Sequence, residues 1–175
     1  MNIVGLDLSL TATGVALPNG TTATINGLAE LGDQRLYNLV SVLHSMMEPY
    51  GRIDLAVLED LPVHGRGAGL TGMAQGVARL LLIQEQIPYA LAAAASLKKY
   101  ATGSGKASKA DMRMALYQRA GHDIHDDNQV DAWWLRHAGL DWYGAPEITM
   151  PAAQRAGLTK IRWPDLATPP AIAGS

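Results

Sequence analysis

Apolar positions fall into short runs near the start of the chain and into longer periodic stretches after it. Residues 2–8 form an apolar run of strand length that carries one charge, Asp7, and residues 13–17 and 21–25 follow after brief polar or glycine-containing breaks. Between the last two, Asn19-Gly20 is a strong hairpin signal, because both residues tolerate positive φ. Over 33–48, Leu36, Leu39, Val40, Leu43 and Met47 recur at helical spacing, and Pro49 stands just beyond as a stop. Residues 54–59, DLAVLE, read as a buried strand. A Gly- and Pro-containing loop over 61–72 leads into a second helix at about 73–86, closed off before Pro88, and 89–93 reads as a fifth strand. A basic loop comes next, then helices at about 109–120 and 128–140. Ser108 and Asp111 form a capping-box-like pair before the first of these, and Gly121 supplies its stop. Three strands, helix, strand, helix, strand and then helices predict an α/β fold, a mixed five-stranded sheet with helices on both faces.

After Trp142 the pattern changes. The remaining residues are rich in Pro, Ala and Gly and read as an arm over the surface, with Ile161 and Trp163 as its apolar anchors and a flexible tail at the end. The expected organisation is therefore one folded domain over 1–142 and an arm and tail over 143–175.

Composition narrows the chemistry. At 175 residues the chain has about one domain's length, enough to bury roughly 70% of its unfolded surface without staples. It has no cysteine, which excludes thiolate zinc sites, Fe–S clusters and cysteine nucleophiles and fits a reducing compartment. With no basic leader and no apolar run near the roughly 18 residues of a membrane span, the sequence predicts a soluble cytoplasmic protein without a membrane partner. The Ala- and Gly-rich, compact chain would suit a phage-encoded protein. The net charge of −2 argues weakly against a nucleic-acid partner until its distribution is considered. Lys98, Lys99, Lys106, Lys109, Arg113 and Arg119 crowd into 98–120 against Asp111 alone, whereas Asp123, Asp126, Asp127 and Asp131 lie within nine positions. One segment is suited to phosphates and the other to cations.

The acids carry the candidate chemistry. Asp7 sits in an otherwise apolar strand, where a lone charge is costly to bury without a partner or a metal. Glu59 ends the AVLE strand, and if the two strands are neighbours their carboxylates emerge side by side. Asp127 and Asp131 are four apart, and Asn128 and Asp131 three apart, so each pair shares a helix face. Oxygen ligands converging from two strands and a helix suit Mg²⁺ or Mn²⁺. Two such ions roughly 3.5–4 Å apart could clamp a phosphodiester, which suggests phosphodiester hydrolysis. Each member also has an ordinary explanation: a turn at Asp7, an ion pair from Glu59 to Arg66 or Arg79, a helix cap at Asp126 or Asp127. Their conjunction is what carries the reading. His122 and His125 read as exposed loop residues.

With these residues in place, the chain resembles the RuvC family of Holliday junction resolvases, in the RNase H-like superfamily, over about residues 1–140. The resemblance rests on GLDLSLTATGVAL at the first hairpin, the strand-terminal Glu59, the stretch KKYATGSGKASK over 98–109, and DNQVDA over 127–132. It implies an RNase H-like fold and a metal-dependent endonuclease acting on Holliday junctions or related branched DNA, as a homodimer with about two Mg²⁺ or Mn²⁺ ions per site. By position, Asp7, Glu59 and Asp131 match the family's metal ligands. The family's closing motif usually has an acid or His three residues before the last Asp; that place holds Asn128 here, so Asp127, one residue earlier, is taken as the fourth ligand. Lys98 and Lys109 match basic positions suited to phosphate contact near the scissile bond, which also places Lys109 among the expected catalytic residues. Lys99, Lys106 and Arg113 extend that surface. Some relatives carry an aromatic wedge, often Phe, after the second acid, but this chain has no Phe, and in that segment Arg66 or His64 is the residue expected to approach DNA. The helix at 73–86 offers Met73, Val77, Leu80, Leu81 and Ile83 for burial, some against a second subunit.

Three other readings share features with this one. A nuclease of broader branch specificity, cutting flaps, forks or R-loops, would use the same centre. A phosphotransferase of the sugar kinase and actin superfamily also has an Asp near a Thr/Gly hairpin, but needs a second domain for which there is little room. A non-catalytic nucleic-acid binder would leave the three acids without a shared purpose.

Overall fold

The computed structural model describes residues 1–61 and 68–166. Strands β1 (Ile3–Asp7), β2 (Ala12–Ala16), β3 (Thr22–Asn26), β4 (Leu55–Glu59) and β5 (Tyr89–Ala92) form one sheet in the order β3-β2-β1-β4-β5. The first three make an antiparallel meander, turned at Gly20 with φ of 85°, while β4 and β5 run parallel to β1 after helical crossovers. The helices are α1 (Gln34–Met47), α2 (Ala68–Gln84), α3 (Ala94–Thr102), α4 (Lys109–Ala120), α5 (Asp127–Trp142) and the short α6 (Ala152–Arg155). The mixed five-stranded sheet with helices on both faces is the architecture that the apolar pattern predicts. No helix among the described residues is long and apolar enough to cross a membrane.

Strand alternation divides the core in two. Val4, Leu6, Ala56 and Leu58 face α1 and α2, where Leu39, Leu43, Met47, Ala74, Ala78 and Leu82 complete one apolar cluster. Ile3, Leu55 and Val57 face α5, whose Val130, Trp133, Trp134, Leu135 and Ala138 belong to the other. Asp7 and Glu59 are in step with the second set, so both strand-end acids lie on the α5 side. Helix α5 comes unusually close to the sheet there. A Cβ on Gly5 would collide with the Ala132 carbonyl oxygen, and one on Gly14 with the backbone of Asn128.

From Ala132 to Asp141, every α5 residue is buried, which includes Arg136, His137 and Asp141. Such a helix needs partners for its polar groups on all sides, and the segment after Trp142 supplies several of them. Arg136 pairs with Glu147 at 2.5 Å and donates to the Pro18 carbonyl oxygen, while Arg155 Nε donates to Asp141 at 2.8 Å. The amide N–H of Ile148 donates to His137 Nε2 at 3.2 Å. The proton of a neutral His137 therefore sits on Nδ1, 2.7 Å from the Tyr100 hydroxyl, which donates in turn to Asp141 at 2.9 Å. Burial holds His137 neutral, pushing it down to about 4.

The structure departs from the sequence reading in four places. The stretch holding Lys98 and Lys99 is helix α3, not a loop; β5 stops at Ala92, and Leu97, Tyr100 and Ala101 turn inward at helical spacing. Helix α2 starts five residues earlier than expected, at Ala68, despite Gly69, Gly72 and Gly76. Its buried face is Ala74, Ala78, Leu81 and Leu82; Met73, Leu80 and Ile83 are exposed and Val77 is only partly buried. Two alanines and two leucines thus form the inward face, and the other large apolar residues turn outward. Finally, the segment after Trp142 is not simply laid over the surface: Met150, Leu158 and Ile161 join the α5 core, and Trp163 stacks on Trp142 with ring centroids 5.5 Å apart. The tail from 167 onward, like His64 and Arg66, lies outside the described residues.

Candidate active site

Asp7 is the last residue of β1 and Glu59 the last of β4. Leu6 pairs with Leu58 at the end of the parallel ladder, so the two acids occupy the next step of the same register. Asp131 arrives from α5. Asn128 packs over Gly14, the antiparallel partner of Asp7, and Ala132 over Gly5. The start of α5 is tied to β3 as well: Asp126 accepts from Asn128 N at 2.9 Å and from Thr24 Oγ1 at 2.6 Å, and Gln129 bonds Thr22 and Thr24. Asp126 is thus the helix cap, and its hydrogen bonds hold its carboxyl below the usual range.

These three acids are electrostatically strained. Burial first, and then the Glu59 and Asp131 charges, push Asp7 up to about 8. Burial and Asp131 push Glu59 up to about 7, and burial pushes Asp131 up to about 6, with Lys109 and Lys98 opposing in both cases. Among the described residues, no side-chain hydrogen bond or ion pair satisfies any of the three carboxylates; Arg79, one sequence-level partner for Glu59, bonds Gln75 instead, and Gln75 Nε2 donates to the Glu59 backbone oxygen. No cluster of three acidic or histidine side chains among the described residues is drawn tight enough to hold one ion as it stands. The donor set nevertheless suits a hard divalent cation: three desolvated carboxylates, mutually repelling and lacking donors, are what such an ion neutralises.

Around the acids lies the basic margin. The α4 capping box, with Ser108 N donating to Asp111 at 2.8 Å and Asp111 N to Ser108 Oγ at 3.2 Å, starts the helix so that Lys109 points toward the site. Lys109 Nζ stands 3.1 Å from Asp127, a bond that raises its affinity for its proton. Asp127 is accordingly held on the Lys109 side, and its charge is felt by Asp131. Lys98 is half-buried, whereas Lys99 and Lys106 are exposed and form no ion pair among the described residues. Arg113 bonds Asp123 at 2.9 Å and His125 at 3.2 Å, and His122 sits edge-on to Trp133; both histidines are exposed, and neither bonds any of the three acids. The structure thus gathers Asp7, Glu59, Asp131, Lys98 and Lys109 at one place, with Asp127 and Arg113 along its rim.

Beside Lys109, an open depression of about 560 Å³ is lined by Arg113, Met114, Tyr117, Asp123 and Asp127. Sequence reasoning passed over Met114 and Tyr117. Their spacing with Lys109 and Arg113 along one face of α4 was the available signal.

No protein-family profile matches the chain. The chain is 30% identical over 154 residues to the crossover junction endodeoxyribonuclease RuvC of Polynucleobacter necessarius subsp. necessarius (strain STIR1), an alignment covering 80% of this chain and 91% of that protein. The fold matches the Thermus thermophilus RuvC structure with a TM-score of 0.69 at 15% identity, over 85% of this chain and all of that one. It also matches T. thermophilus RuvC in complex with Holliday junction substrate, with a TM-score of 0.65 at 16% identity, over 85% and 99% of the two chains. A sheet whose parallel core ends in two acids, a closing helix that brings a third, and this shared sequence along most of both chains place the protein in the RuvC family of crossover junction endodeoxyribonucleases.

Proposed function

We propose that the protein is a divalent-metal-dependent endodeoxyribonuclease that hydrolyses phosphodiesters in four-way DNA junctions. The observation that carries this reading is the trio of half-buried carboxylates from β1, β4 and α5, unsatisfied by any described donor and flanked by Lys98 and Lys109. Asp7, Glu59 and Asp131 would hold Mg²⁺ or Mn²⁺, with Asp127 as the outermost carboxylate of the set. Bound there, the metal supplies charge neutralisation at the phosphate and an activated water. Lys98 and Lys109 place positive charge beside the acids, so the phosphate approaches cations rather than bare carboxylates. Asp127 steadies the Lys109 ammonium. Lys99 and Lys106, exposed and without an ion pair among the described residues, extend the electropositive track along which the backbone runs, and Arg113, paired with Asp123, borders it.

A junction presents two equivalent strands, which a symmetric pair of sites would match. On α2, Leu70, Met73, Leu80 and Ile83 are exposed at helical spacing as an apolar stripe suited to a second copy of the chain. Sedimentation of the wild type is expected to show a dimer, and Leu80→Asp a monomer; a monomeric wild type removes this part of the reading. The absence of cysteine supports residence in the reducing cytoplasm.

Cleavage assays in Mg²⁺ or Mn²⁺ on a four-way junction, a fork, single strands and linear duplex test the activity. Paired symmetric nicks confined to the junction are expected. The lack of any Phe favours broader branch specificity as the second reading, and cutting of forks at the junction rate would establish it. Equal cutting of linear duplex would leave only a general nuclease. In the same assay Asp127→Asn is expected to lose roughly 10–100-fold, the scale of removing a supporting partner, because its carboxylate rests on Lys109. Complete loss would make Asp127 the equal of Asp131.

A further inference from the structure

We propose that the depression on α4 beside Lys109 is a stacking site for one unpaired base of the DNA substrate, with the Tyr117 ring as its platform. The proposal rests on the nuclease reading, since it takes as its ligand the strand that reaches the acids. Contiguity is the first argument. Lys109 and Asp127 line the depression, and the Lys109 charge acts on Asp7, Glu59 and Asp131, so whatever occupies the depression adjoins the phosphate at the acids.

Its walls decide which part of a nucleotide fits. Both cations are already answered, Lys109 by Asp127 at 3.1 Å and Arg113 by Asp123 at 2.9 Å, which leaves a polar surface with little net charge. Such a surface is poorly suited to a phosphate and well suited to a neutral heterocycle. Each carboxylate keeps lone pairs that can accept from the amino groups on base edges. At about 560 Å³ the space lies within the roughly 300–1,000 Å³ of small-ligand sites.

Tyr117 and Met114 form the apolar part. They are 55% and 54% exposed, while the residues that pack α4 against the body, Met112 and Leu116, lie on its opposite face. Nothing in the core therefore requires a Tyr and a Met at these positions. An aromatic ring beside a polarizable thioether is a sequence-tolerant platform for a base. A paired base already has its stacking partners, whereas one left unpaired at a branch reaches the ring at least cost.

The test measures equilibrium binding without metal of a four-way junction carrying one unpaired nucleotide at the branch, against the same junction with an abasic residue there. The wild type is expected to prefer the base by roughly 5- to 100-fold, the range of one base–aromatic stack. Tyr117→Ala should erase that preference, and Tyr117→Trp should keep it. Equal wild-type affinity for the two junctions, or full preference in Tyr117→Ala, overturns the proposal; so does equal competition by a free mononucleotide. If Tyr117→Ala fails to fold, the wild-type comparison and Tyr117→Trp still decide. A parallel cleavage arm in Mg²⁺ separates the two readings. Cutting without base preference fells the stacking site alone, and base preference without cutting fells the nuclease reading alone.

Discussion

Asp7→Asn is expected to lower junction cleavage by roughly 10²–10³-fold or more, the scale of removing one preorganised electrostatic group, while leaving junction binding within a few-fold of wild type. Asn keeps the shape of the side chain and one acceptor oxygen but removes the charge that a divalent cation needs. The backbone position at the end of β1 is set by the ladder to β2 and β4, so the substitution leaves the sheet intact. Glu59→Gln and Asp131→Asn should behave alike, because the three carboxylates act on one another as a set. DNA affinity survives because Lys98, Lys109 and the exposed Lys99 and Lys106 are untouched, and removing a negative charge from the site can only reduce repulsion of the backbone. Single-turnover cleavage in Mg²⁺, with binding measured separately, reads both quantities. Retained Mg²⁺-dependent cleavage in the Asp7 variant would sink the assignment.

The metal-free protein should lose thermal stability as pH rises toward 8. Asp7, Glu59 and Asp131 are pushed up to about 8, 7 and 6 in the fold, against ordinary values of 3.8, 4.5 and 3.8. Between the unfolded and folded values the native state binds more protons than the unfolded state, so stability falls with pH across that window. His137 acts in the opposite sense. Held down to about 4 from 6.5, it leaves the unfolded chain with the extra proton between those values, and stability there rises with pH. The two effects oppose one another in the acid range, and above about pH 6.5 only the carboxylates remain. Calorimetry in EDTA should therefore show a falling Tm from about pH 6.5 to 8.5, a shallower fall for Asp7→Asn, and recovery of the wild type by Mg²⁺ through its preference for the folded site. A flat metal-free profile would refute the strained trio.

Much of the fold is legible in the sequence, for local reasons. The Asn19-Gly20 turn, the strand-length runs, the Ser108–Asp111 cap and the stop at Gly121 each involve residues a few positions apart, and each appears in the structure. Helix α3 was the element most easily lost, since two lysines and an alanine run hide the inward positions Leu97, Tyr100 and Ala101. The buried face of α2 is hidden for a related reason. Large apolar residues suggest a core-facing stripe, yet the inward face of α2 is Ala74, Ala78, Leu81 and Leu82, and Leu80 and Ile83 stay outside.

By itself the sequence determined the order of the strands and of helices α1, α2, α4 and α5, the presence of Asp7 in the first strand and Glu59 at the end of the fourth, and the separation of an acidic from a basic segment. Alternation with period two and helical periodicity are properties of neighbouring residues, and they survive in any compact arrangement. Only the tertiary structure decided that α5 lies directly on Gly5 and Gly14, so that Asp131 meets two acids far away in the chain. It also decided that Asp127 turns to Lys109, and that Glu147, Ile148 and Arg155 partner Arg136, His137 and Asp141 of α5. These outcomes depend on the distance of closest approach between elements and on which charges find a partner there. Those quantities are set by packing across long sequence separations, where no local pattern records them.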